Sequence, residues 1–182
     1  MAVLSDLDIE ENINIGVLKI HGMNKDTIRE NGLDLTISET YSVEVNKEIL
    51  SLDSIIDLHN QSPDRFKKLK AQDGKIIIEP KKFMLLSTRE YIEVPTDIMG
   101  FCAIRSTIAR SGILSPPTIL DCGFCGTLTI EIFNASERPI LIHVGDRFLH
   151  VVLQYTKTPS SKPYRGEYHK QDVVREPKRS VE

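Results

Sequence analysis

The sequence lacks tryptophan, and aromatic residues make up only 6% of it. So few rings are poor material for the stacking platforms that hold single-stranded nucleic acid. It also lacks a dominant charge: 23 basic residues stand against 26 acidic ones, a formal net charge of −3. That balance argues against a nucleic acid polymer as partner, but leaves room for a small polyanion held by a local cluster of cations, with a metal counter-ion where the polyanion needs one. No stretch approaches the ~18 consecutive apolar residues of a membrane span, so no membrane partner is expected. Residues 1–13 have neither the basic start nor the apolar run of a secretory leader. Cysteine is scarce and odd in number, at Cys102, Cys122 and Cys125. Reduced thiols in a cytoplasmic protein are the plain expectation.

What is present suffices for one domain with a substantial core: 182 residues, 40% of them hydrophobic, with no internal repeat. Ser5-Asp6-Leu7-Asp8 reads as a helix start, with Ser5 as cap, Leu4 and Ile9 as a hydrophobic staple, and Gly16 as the stop. Thr27 to Asn31 is expected to add one helical turn. The period then changes. Leu33, Leu35 and Ile37 alternate with polar residues, as do Tyr41, Val43 and Val45. Short apolar runs follow at Ile76 to Ile78, Phe83 to Leu86, Tyr91 to Val94, Met99 to Ile104, Ile140 to Ile142 and Phe148 to Leu153, each close to turn residues. Many short strands with close turn signals predict an all-β sandwich or barrel. Ser51 to Gln72 reads as helix or loop around Ile55, Ile56 and Leu58, with Lys67, Lys68 and Lys70 on a solvated face. Beyond Thr156 the chain is rich in Pro, Lys and Arg without periodicity, which fits a disordered tail or one that orders over a ligand.

The chemistry concentrates between Arg105 and Glu131. Arg105 to Arg110 suits one helical turn after a strand. Such a turn presents free N–H groups, fork-shaped arginine donors and the hydroxyls of Ser106 and Thr107 to a phosphate. The same arginines also read as surface residues without a role. Strand alternation puts Leu128, Ile130 and Ile132 on one face and Thr127, Thr129 and Glu131 on the other. A Glu between two isoleucines, if partly buried, has a raised pKa and suits proton transfer near neutral pH; on a solvated face it has no such role. Asp121 sits in a Leu-Asp-Cys-Gly turn and serves equally as a plain turn acid. Cys122-Gly-Phe-Cys125 is a CxxC, but no histidine is followed by x-Glu, as the zinc deaminases require, and no second CxxC completes a structural zinc site.

Taken together, Arg105-Ser106-Thr107 with Ala109-Arg110 and Gly112, then Leu120-Asp121 with Gly123-Phe124 and Gly126, then Thr129-Ile130-Glu131, resemble the dCTP deaminases of the dUTPase-like superfamily. Pro116-Pro117-Thr118-Ile119 resembles archaeal members. The segments Leu4 to Ile9 and Glu30 to Leu35 match as well, so the resemblance covers most of the chain. It implies a distorted β-barrel or jelly roll of the dUTPase-like type over residues 1–155, a homotrimer with sites at subunit boundaries, and a C-terminal tail over residues 156–182 that closes on the site. It implies hydrolysis of dCTP to dUTP and ammonia without zinc, with Mg²⁺ bound through the triphosphate. Glu131 would activate the water. Arg110 and Ser106 would position the water and the pyrimidine. Arg105, Ser106 and Thr107 would hold phosphates, and Ile108 and Ala109 would complete that segment of the site. Asp121 would lie near the sugar, and the backbone of Thr129 and Ile130 would face the nucleotide. In the tail, Tyr164 and Gln171 keep the family pattern as substrate-binding residues. Glu167 stands where that pattern has lysine, and Asp172-Val173 replace Gln-Gly. Two other functions follow from the same residues. One is a dUTPase, or a bifunctional enzyme, in which Asp121 activates water against the α-phosphate. The other is a non-catalytic nucleotide-binding trimer.

Overall fold

The computed structural model describes residues 2–45, 56 and 65–177. The chain opens with helix α1 (Asp6–Asn14). Ser5 caps it through a capping box with Asp8, and Gly16 follows in the left-handed region at φ 75°. Leu4 and Ile9 are both buried, as a staple requires. Among the described residues fourteen strands follow, in the order β1 (Lys19–His21), β2 (Ile28–Arg29), β3 (Gly32–Glu44), β4 (Phe66–Lys70), β5 (Lys75–Ile78), β6 (Phe83–Thr88), β7 (Tyr91–Glu93), β8 (Ile98–Ile104), β9 (Ile113–Leu114), β10 (Thr118–Leu120), β11 (Cys125–Gly126), β12 (Thr129–Asn134), β13 (Ile140–His143) and β14 (Arg147–Tyr155). A single-turn helix, α2 (Ser106–Arg110), interrupts them after β8. The protein is mostly β-sheet with short helices.

The main sheet runs β10-β8-β14-β3-β6-β12-β9, with β2 and β4 also paired to β3. Strand β3 is its spine. Its first half pairs with β14, and its second half pairs with β4 and β6 after a register shift between Ile37 and Tyr41. That shift lets one strand serve two parts of the sheet, as bulges do. Close approach at its start requires glycine: a Cβ on Gly32 would lie 2.2 Å from the Val151 carbonyl oxygen on β14. Two small sheets complete the fold, β1-β7-β11 and β13-β5. The core gathers Leu33, Leu35, Ile37, Leu86, Ile130, Ile132, Phe148 and Val151, among others, between these layers.

Two expectations need correcting. Thr27 to Asn31 is not helical: Ile28 pairs with Leu33 and Arg29 with Gly32, a hairpin closed by Glu30 and Asn31. Phe66–Lys70 is a strand rather than helix or loop. Phe66 is buried, and the lysines at 67, 68 and 70 are exposed as the charge pattern suggested. Ile56 is exposed, and the expectations for Ile55 and Leu58 lie outside the described residues. Among the described residues, no helix is long and apolar enough to cross a membrane.

Candidate active site

Strand β12 carries Glu131 between buried Ile130 and Ile132, so its carboxylate turns away from the core. The alternation holds only from Thr129 onward. Leu128 precedes the strand and borders the same cleft as Thr129 and Glu131. Glu131 pairs with Leu85 of β6 across the sheet. The cleft, of about 310 Å³, is walled by β6, β10, β12, the turn after Leu120 and the C-terminal segment. Burial pushes the Glu131 carboxyl above the usual carboxylate range, opposed only by its own backbone N–H. Among the described residues no cation pairs with it. Its field reaches Cys102, whose thiol is pushed up to about 12, mainly by burial.

Four other residues expected at the site meet here: Asp121, Thr129, Tyr164 and Gln171 line the cleft with Glu131. The C-terminal segment is fixed to the turn after β10 and to β11. The Tyr164 N–H donates to the Cys122 carbonyl at 2.8 Å, and the Lys170 N–H donates to that of Cys125 at 2.6 Å. Gly123 is at φ 81°, and a Cβ there would lie 2.5 Å from Pro163 Cβ, so this docking depends on glycine. The Tyr164 ring rests on Phe124 with centroids 5.7 Å apart. Gln171 brackets Thr127: its carbonyl accepts from the Thr127 N–H at 2.9 Å, and its Nε2 donates to the Thr127 carbonyl at 2.6 Å. Ile130 is 2% exposed, so only its backbone is available to a ligand.

The arginine segment lies elsewhere. Arg105 and Ser106 border a second cavity of about 240 Å³, with Arg29, Glu30, Asp34 and His150. Thr107, Ala109 and Arg110 on α2 are exposed, Ile108 packs partly against the core, and none of the four reaches the Glu131 cleft of its own chain. The second cavity is organised by Asp34, which is 3% exposed. Its carboxylate lies 3.1 Å from Arg105 Nε, 3.4 Å from Arg147 Nη1 and 2.9 Å from His150 Nδ1. A buried charge needs such partners. Neither Asp34 nor His150 was singled out in the sequence. The available signal was an acid inside the apolar run Leu33 to Ile37.

Glu90, fully buried, was also missed. Its carboxylate accepts from the Thr36 N–H at 2.8 Å and the Thr36 hydroxyl at 2.7 Å, tying β3 to the turn after β6. The three cysteines are free thiols. Cys125 Sγ lies 3.0 Å from the Tyr91 hydroxyl, whose pKa this contact pushes up to about 12. Among the described residues no group of three or more His, Cys, Asp or Glu side chains could hold a metal ion.

Comparison with known proteins supplies the context. A protein called dCTP deaminase from Sulfurisphaera tokodaii is 39% identical over 176 residues, covering 97% of this chain and 92% of its own. Another dCTP deaminase, from Caldivirga maquilingensis, is 41% identical over 178 residues, covering 97% and 96%. A probable deoxyuridine 5'-triphosphate nucleotidohydrolase from Sulfolobus islandicus rod-shaped virus 1 is 42% identical over 173 residues, covering 94% and 96%. Among solved structures, the 2'-deoxycytidine 5'-triphosphate deaminase from Agrobacterium tumefaciens superposes with a TM-score of 0.65 at 17% identity. That match covers 85% of this chain and 48% of the Agrobacterium chain, and it speaks for the fold alone. The model of the dCTP deaminase-like family matches residues 3–156, and the chain belongs to that family.

Proposed function

We propose that the protein hydrolyses dCTP to dUTP and ammonia, with Glu131 as general base and proton relay. The observation that carries this is a carboxylate held above its usual value by burial, with no cation paired to it among the described residues, on the wall of a cleft of about 310 Å³. Glu131 takes a proton from water as the oxygen attacks C4 of cytosine. The proton passes to N3, giving a tetrahedral intermediate. The second water proton passes to the exocyclic nitrogen, and the C4–N bond breaks to release ammonia and restore the carboxylate. A base whose pKa lies near the working pH does this best. The names of the archaeal relatives support the same reaction.

The active assembly on this reading is a homotrimer. In a single chain, Ser106 and Arg110 stand outside the cleft that holds Glu131. Phe101 and Ile119, cross-strand partners on β8 and β10, are 47% and 46% exposed. A neighbouring copy packed on this face would bring its own α2 to the cleft. Ser106 and Arg110 would then position water and pyrimidine, and Arg105 and Thr107 the phosphates. The C-terminal tail would act as the lid of the cleft, which its Tyr164, Tyr168, Gln171, Arg175 and Pro177 border. Mg²⁺ is carried by the triphosphate, whose charge it screens. Such an ion needs no protein cage.

The runner-up is a dUTPase or bifunctional activity. Asp121 borders the same cleft, and the viral relative is named as a probable dUTPase. Incubation with dCTP and, separately, dUTP in the presence of Mg²⁺ tests both. Ammonia and dUTP as sole products support deamination; dUMP and pyrophosphate reveal the second activity.

A further inference from the structure

Among the described residues, the Glu131 cleft is walled by two acids, Glu131 and Asp121, and a single cation, Arg175. Arg175 is firmly mounted. Its N–H donates to Thr129 Oγ1 at 3.2 Å. Val174 before it is fully buried beside Phe66 and Leu85. Glu176 after it accepts from the Ser42 hydroxyl at 2.6 Å and lies 3.9 Å from Lys68 Nζ. The backbone is pinned on both sides while the side chain borders the cleft. Its ion pair, with Asp172 at 3.9 Å, is loose, and Asp172 is 76% exposed. Such a pair contributes little and exchanges readily for a ligand.

A second feature of the same wall points to a ligand. Gln171 is 5% exposed, borders the cleft, and leaves Oε1 without a hydrogen-bond partner among the described residues. A buried acceptor left open is costly unless a ligand or a water fills it. Among the described residues Arg175 pairs with Asp172 and not with Glu131. Its anchor, Thr129, is two residues from Glu131 along one strand, ~7 Å.

We infer that Arg175 is a substrate-binding residue whose guanidinium takes the phosphates of a deoxynucleoside triphosphate lying in the cleft of its own chain. Arginine's planar fork matches phosphate oxygens in a way a point charge does not. This rests on the nucleotide reading above and adds to it a phosphate contact from the tail.

The test compares wild type with Arg175→Gln, Arg175→Lys and, as a charge control, Lys67→Gln on the exposed face of β4. KM and kcat are measured for dCTP. Dissociation constants are measured by calorimetry for dCTP, dUTP and deoxycytidine. Arg175→Gln is expected to raise KM and both nucleotide dissociation constants about tenfold, with kcat within about twofold and deoxycytidine unaffected. Arg175→Lys should recover part of the loss, and Lys67→Gln should behave as wild type. Unchanged nucleotide affinity in Arg175→Gln, or an equal loss for deoxycytidine, overturns the inference. If wild type binds dCTP or dUTP but releases no ammonia, the deaminase reading falls while the affinities still decide the role of Arg175. If wild type binds neither nucleotide, both fall.

Discussion

Glu131 and Asp34 are both acids on strands of the main sheet, the first half-buried and the second buried, yet their surroundings oppose each other. Asp34, the more buried, gathers Arg105, Arg147 and His150 within 3.4 Å. Among the described residues Glu131 has no cation paired with it, and burial raises its pKa. An acid neutralised by bonded cations is a structural anchor, since its charge is already matched. An acid kept from water without a partner holds its proton more tightly and is ready to trade it. The residue type alone does not distinguish the two. The difference comes from which strands β3 and β12 meet.

Exchanging the carboxylates for amides should separate these roles. The largest effect is expected at Glu131: Glu131→Gln should lower ammonia release from dCTP by about 10³-fold, with dCTP still bound by calorimetry. Wild-type turnover in that variant would remove Glu131 from the chemistry. Asp34→Asn should act on stability instead. It leaves two arginines and a histidine without their shared anion, a loss of about 2 kcal/mol once the partial exposure of the cations is allowed for. That corresponds to a Tm lower by about 4–8 °C in calorimetry; an unchanged Tm would show that the cluster does not anchor the fold. Ser5→Ala, remote from both regions, should cost about 1 kcal/mol by removing the α1 cap, read from the urea midpoint, without altering KM.

The smallest effect has the opposite sign. The Glu131 pKa is raised by folding, so its contribution to stability is fully present below the unfolded value. It is lost as pH rises through the folded value. At neutral pH, Glu131→Gln should therefore raise Tm, by about 2 °C. The gain should vanish in acid below the ordinary carboxylate range, where both side chains are neutral. A variant less stable than wild type at neutral pH would show that the carboxylate is not strained by burial.

Much of this was legible in the sequence, for physical reasons. The α1 boundaries follow from Ser5 and Gly16, which act on their own neighbours. Most strands announce themselves by two-residue alternation, and the motif residues Asp121, Thr129 and Glu131 do meet in one cleft. What stayed hidden depends on partners distant in the chain. The hairpin at Glu30 and Asn31 looks like a helical turn until Gly32 is seen against β14. Asp34 and Thr36 look like the solvent side of an alternating strand, but residues 32–37 of β3 are buried on both faces. Arg147, His150 and Glu90 supply the matching polar groups, and nothing local links them to β3. That α2 stands away from the Glu131 cleft of its own chain likewise depends on how distant strands pair, which no local pattern encodes.

The central claim is that Glu131 drives deamination of dCTP. Its most direct test is product analysis of dCTP with Mg²⁺, wild type beside Glu131→Gln, following ammonia and nucleotides by chromatography. The account predicts ammonia and dUTP in equal amounts from wild type and almost none from the variant. Equal ammonia from both proteins, or dCTP left intact by wild type, would contradict it.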